Sequence, residues 1–237
     1  MCEQLSFSRT VLNEWERTWD NETIDYLTTA QEKIFFSLMD LNSFYYIQNE
    51  LNKKNKIWLK EVENGNPFEF PSSLLQMDYY STEQPAGLFM SKITLNFYGT
   101  VHSFFDTYAH FLHKALFPQD TLPILLNFKQ VKNKIKSDSS MKNIEIGIDE
   151  NEVAIFPYVT EINNMNKHKK HVSPFSWTNL VTGEQSFFLP AFRHKNDHEE
   201  KITKDTLESS CKMVIDFFNN VTQTVYDYSL NTRTRTE

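Results

Sequence analysis

From Asn21 to about Glu63 the apolar residues Leu27, Ile34, Leu38, Leu41, Tyr45 and Leu51 recur mostly three, four or seven positions apart, the spacing of one helix face. Asn64-Gly65-Asn66-Pro67 closes that helix. Phe68 to Ala86, with Pro71 and Pro85, reads as an irregular connection with room for strands. A second long helix is predicted from Gly87 to Phe117, where Phe97, Val101, Phe104, Phe105, Tyr108, Phe111, Leu112 and Ala115 form a broad apolar face. Pro118 stops it. A third is predicted over about Leu122 to Lys136, with Pro123 in its first turn.

The period then changes to two. Ile144, Ile146 and Ile148 alternate with polar residues, Asp149-Glu150-Asn151 offers a turn, and Val153 to Tyr158 supplies a second strand, which together predict a β-hairpin. Asn163 to His171 reads as a polar, basic loop. Trp177 to Phe188, broken at Thr182-Gly183, fits a second hairpin or a short helix, with the hairpin favoured. The last helix has the clearest pattern: Leu207, Cys211, Val214, Phe218, Val221, Val225 and Tyr228 form one seam, and Thr203 or Asp205 is placed to cap its start. The sum is a single, mainly α domain. It has a bundle of long helices (about residues 20–137 and 189–230), a small β-containing insertion (about 143–188) and a polar tail (231–237).

Composition supports packed helices over a many-turned β fold, with 20 Phe and 10 Tyr against only 5 Gly. Cys2 and Cys211 are too few and too far apart for a disulfide framework or a zinc site, which points to a reducing compartment. The first residues show no basic stretch followed by an apolar one, and no run approaches the roughly 18 apolar residues of a membrane span. A cytoplasmic protein is expected, without a membrane partner. The net charge of −7 argues against broad electrostatic capture of nucleic acid, although not against a local basic groove.

The cations are unevenly chosen. Between Arg17 and Arg233, Arg193 stands alone among lysines. A planar guanidinium grips an oxyanion with two parallel bonds where an ammonium offers a point charge, so the choice singles out Arg193. It opens the segment Arg193-His194-Lys195-Asn196-Asp197-His198, placed just before the last helix.

This segment and its helical surroundings resemble the HEPN superfamily. Active members carry an Arg, then usually Asn, Asp or His, then a few residues and a His near the start of a late helix. Arg193, His194 and His198 match that pattern position by position, and the resemblance covers the helical frame but not the β-containing insertion. It implies a metal-independent endoribonuclease that needs no cofactor and leaves a 2′,3′-cyclic phosphate. His198 would then exchange protons with the ribose 2′-hydroxyl and the leaving 5′-oxygen. Arg193 would hold the scissile phosphate, and His194 would orient the pair. Active sites in the family are usually built where two copies of the motif face each other, which implies a homodimer. An acidic residue from an earlier helix often completes the site, and Asp106 is placed for that role. Such domains commonly serve as toxins or defence effectors, which brings in an antitoxin or other regulatory partner.

Two basic stretches are candidates for guiding RNA: Lys129, Lys132, Lys134 and Lys136 on the third helix, and Lys167 to His171, including Lys169 and Lys170. Lys195, inside the motif, joins them. Trp177 is a candidate for stacking on bases. Two other readings stay open. One is a catalytically inactive helical module that binds RNA or a protein. The other is a metal-dependent hydrolase using His102, Asp106, His110 and His113, which share a face of the second helix. One helix cannot bring all four to one ion, because His102 and His113 lie about 16 Å apart along the axis at 1.5 Å per residue. Other helices would have to complete any such site.

Overall fold

A computed structural model describes residues 9–65, 74–76, 83–123, 125–152, 155–168, 172–193 and 195–233. Its helices are α1 (Arg9–Thr18), α2 (Asn21–Glu63), α3 (Ala86–Leu116), α4 (Phe128–Ser137), α5 (Lys142–Glu152), α6 (Ile155–His168) and α7 (Thr203–Arg233). The strands are β1 (Leu74–Gln76), β2 (Glu83–Pro85), β3 (Phe175–Thr178), β4 (Gln185–Leu189), β5 (Phe192–Arg193), β6 (Asp197–His198) and β7 (Lys201–Ile202). All strand pairs are antiparallel: β1 with β2, β5 with β6, and a three-stranded sheet in the order β3-β4-β7. The described chain is thus mainly α-helical with a small antiparallel β region, as the hydrophobic pattern predicts.

Three local expectations change. The stretch Ile144 to Ile148 is helix α5, not a strand. Ile144 and Ile148 are buried while Ile146 is exposed, and Met141, three residues before Ile144 in the turn that leads into the helix, is buried as well. Alternation and a helical stripe share the i, i+4 pair, and the flanking residues decide for the helix. Ile155 to Tyr158 of the expected second strand and Asn163 to His168 of the expected loop belong to α6, while residues 153–154 and 169–171 lie outside the described residues. The third helix starts at Phe128, six residues later than the expected start at Leu122. Asn127 accepts from the Gln130 amide (3.0 Å) and the Gln130 side chain accepts from the Asn127 amide (3.0 Å), a reciprocal capping box worth about 1 kcal/mol.

The chain divides into two compact units. The first takes the described residues up to Phe36, Thr100–Thr160 and those from Ser210 on. Its core is aromatic: Phe104 stacks on Tyr108 (centroids 5.4 Å apart), and Phe217 meets Phe104, Phe105, Tyr108 and Phe128 edge-on or tilted. The Tyr108 hydroxyl, led into this cluster, pairs with Thr222 Oγ1 at 2.8 Å. Trp19 packs edge-on against Phe111 and donates from Nε1 to Ser229 Oγ.

The second unit, Ser37–Gly99 with Glu161–Ser209, contains all the strands among the described residues. Here the β3–β4 hairpin docks on α2. Phe187 packs edge-on against Phe44, Gln48 Nε2 donates to the Gln185 carbonyl, and the Gln185 amide donates to Asn52 Oδ1. At the turn, Gly183 has φ +71°, and a Cβ there would lie 3.0 Å from Leu59 Cδ1 and 3.2 Å from the α2 backbone at Asn55 and Lys56. Only glycine combines that left-handed backbone with so close an approach. Of the four tryptophans, Trp15, Trp19 and Trp58 are buried, whereas Trp177 on β3 is 66% exposed.

Candidate functional site

Within the Arg193-to-His198 segment Arg193 ends β5 and Asp197 and His198 form β6, the two strands pairing as a ribbon, with β7 between them and α7. The register pairs Phe192 with His198 and Arg193 with Asp197. Directly opposed residues share a face and neighbours alternate, so Arg193 and His198 project from opposite faces of the ribbon. Side-chain contacts agree. Phe192 stacks on the His198 ring (4.5 Å, 29°), while Arg193 Nε lies 3.3 Å from Asp197 Oδ1. The Arg193 side chain is 80% exposed and that of His198 only 14%.

His198 turns toward Glu161 of α6, whose side chain is 6% exposed. His198 Nε2 lies 3.1 Å from Glu161 Oε2. The same carboxylate accepts from the backbone amides of Lys195 (3.2 Å) and Asn196 (3.1 Å) and from the Asn196 side chain. Burial opposes ionisation of Glu161, but the bonds from the Asn196 amide, His198, the Lys195 amide and the Asn196 side chain outweigh it, holding the carboxyl below the usual range. Glu161 is absent from the residues that the sequence pattern points to. Its signal is a charge set among the apolar residues Tyr158, Val159 and Ile162, which stands out only once this stretch is read as a helix.

Asp106, expected to complete the site, lies in the first unit, where its Oδ2 is 3.4 Å from His102 Nδ1 on the same helix. The carboxylate that His198 meets is Glu161. Elsewhere on α3, His110 stacks on Tyr26 (5.1 Å, 18°), and burial pushes its imidazole pKa down against the pull of Asp106. His113 is buried and accepts at Nε2 from Lys134 (3.3 Å); burial, then Lys134, lowers its pKa. Lys134 in turn pairs with Asp120. Among the described residues no group of three or more His, Cys, Asp or Glu side chains is arranged to hold a metal ion.

Of the lysines expected to guide RNA, Lys132 and Lys136 both pair with Asp149 (2.9 and 3.1 Å), and Lys129 is exposed. Lys195 is exposed beside the ribbon. His194, Lys169 and Lys170 lie outside the described residues. Among those described, no helix is long and apolar enough to cross a membrane.

Fold and site together define a mainly α-helical protein whose small β region carries a histidine held by a buried carboxylate. No protein-family model, curated protein or solved structure matches the chain.

Proposed function

We propose that the chain is a HEPN-like, metal-independent endoribonuclease in which His198 does the acid–base work. The observation that carries this reading is the contact between His198 and the buried Glu161. A carboxylate that orients an imidazole and offsets the charge it gains is the usual support of a proton-transferring histidine. With Arg193 exposed on the other face of the ribbon, the arginine that meets the phosphate at His198 comes from a second copy of the chain. Two copies related by a two-fold axis would make two such composite sites.

Complementation tests this. His198→Ala and Arg193→Ala should each abolish cleavage of single-stranded RNA in the presence of a chelator. Co-refolded in equal amounts, they should regain up to about a quarter of wild-type activity, since half of randomly assorted dimers are mixed and each mixed dimer holds one intact site. A mixture that stays inactive while wild type cleaves rules out the arrangement in trans. Wild type that leaves a broad RNA panel intact rules out the nuclease.

One set of observations favours a second reading, a catalytically inactive module that binds a protein. Lys132, Lys134 and Lys136 are neutralised by Asp149 and Asp120, which weakens the case for an RNA groove on α4. In the second unit, Met39, Tyr46 and Ile57 expose apolar surface along α2. Retention of a protein partner by wild type, lost in Tyr46→Asp, together with inactivity on RNA, would establish it.

A further inference from the structure

We propose that Glu161 is a positioning residue that holds His198 as the Nε2–H tautomer, so that Nδ1 is the ring nitrogen that exchanges protons with RNA. The role of Nδ1 rests on the ribonuclease reading; the tautomer does not. Three donors besides His198 converge on the Glu161 carboxylate: the Lys195 amide, the Asn196 amide and the Asn196 side chain. A protonated carboxyl would turn an O–H toward one of these donors, so the group that fits is an ionised, acceptor-only carboxylate. Facing it at 3.1 Å, His198 Nε2 must be the donor. In a neutral imidazole the other nitrogen then keeps its lone pair.

The ring is held from the side as well. Phe192 stacks on it and is its register partner across the ribbon. Turning the ring over would present a carbon to Glu161 and leave a buried charge short of one donor. Tautomer and orientation are therefore set by one carboxylate and one aromatic face.

In the reaction Nδ1 takes the 2′-hydroxyl proton as the O2′–P bond forms and the P–O5′ bond breaks. The imidazolium, stabilised by Glu161, then returns that proton to O5′. The products are a 2′,3′-cyclic phosphate and a 5′-hydroxyl, with no further reactant.

Long-range nitrogen–proton NMR on the full-length wild-type chain, at a pH where the His198 ring is neutral, reads the tautomer directly. A protonated Nε2 and an unprotonated Nδ1 are expected; an Nδ1–H pattern, or fast averaging of the two, overturns the assignment whatever the activity. For the catalytic part, Glu161→Gln keeps an acceptor for the two backbone amides but removes the charge. It should lower kcat on the order of 10²- to 10⁴-fold with KM unchanged, and Glu161→Asp should recover more of kcat than Gln does. A role confined to pinning the turn predicts instead that kcat follows the folded fraction in both variants, and that result overturns the positioning role. The expected tautomer in a chain that cuts no RNA overturns the ribonuclease reading, and with it the task given to Nδ1.

Discussion

The two units are held in different ways. In the first, stability is spread over many rings: Phe217 alone touches four aromatic neighbours. In the second, structure converges on single polar groups. One carboxylate, Glu161, gathers the Lys195–Asn196 turn and His198, and side-chain bonds from Gln48 and Asn52 dock the hairpin on α2. Dispersed apolar contact is tolerant in geometry, because no one contact is indispensable. A shared carboxylate fixes angles and protonation states but fails as a whole when it is lost. The chemistry proposed for this chain sits where the second kind of construction prevails.

Substitutions sharpen that contrast. Phe217→Ala should cost about 3–5 kcal/mol in urea unfolding, since it empties the middle of the ring cluster. Hydrogen exchange should rise first in the amides of the first unit. If the loss falls below that range, the rings are less interlocked than their contacts suggest. Gly183→Ala, in the second unit, should cost about 1–3 kcal/mol, because it forces a left-handed residue against the α2 backbone. A neutral result would mean that the hairpin lifts off α2 without penalty.

The smallest effect is one of sign. Burial pushes Asp40, in the second unit, up to about 6 from the ordinary 3.8. A carboxyl raised on folding opposes stability above that window and is relieved as pH falls through it. In the first unit His110 and His113 are lowered from 6.5, so the stability tied to their neutral forms is complete above 6.5 and is lost as pH falls below it. Asp40→Asn should therefore raise Tm at pH 7 and not at pH 3.5, whereas His113→Gln should flatten the loss of Tm between pH 6.5 and 5. Equal Tm shifts for Asp40→Asn at both pH values would show that its carboxyl is not strained.

Much of the frame is legible in the sequence because it is punctuated. α2 runs from Asn21 to Glu63, as its apolar spacing predicts, and ends at Gly65 with φ +84°, the left-handed residue that helix ends favour. Pro118 bounds α3 in the same way, and Thr182-Gly183 marks the turn between β3 and β4. The short apolar run around Ile144 is ambiguous in the sequence, because helix and strand spacing coincide there and only more distant partners decide. The candidate site was half legible. His198 was marked by its motif, but its partner came from α6, thirty-seven residues earlier, and no local spacing encodes a contact of that range. The opposed directions of Arg193 and His198 follow from pairing between strands of two residues each, too short to leave a periodic trace.

Trp177 gives the second unit something the first lacks. With Trp15, Trp19 and Trp58 shielded in the interior, a water-borne quencher such as iodide samples the indole on β3 and little else. The hairpin therefore carries its own optical gauge. Light emitted by an unlabelled, unsubstituted chain divides into a constant background from three indoles and a signal that changes whenever something settles on that strand.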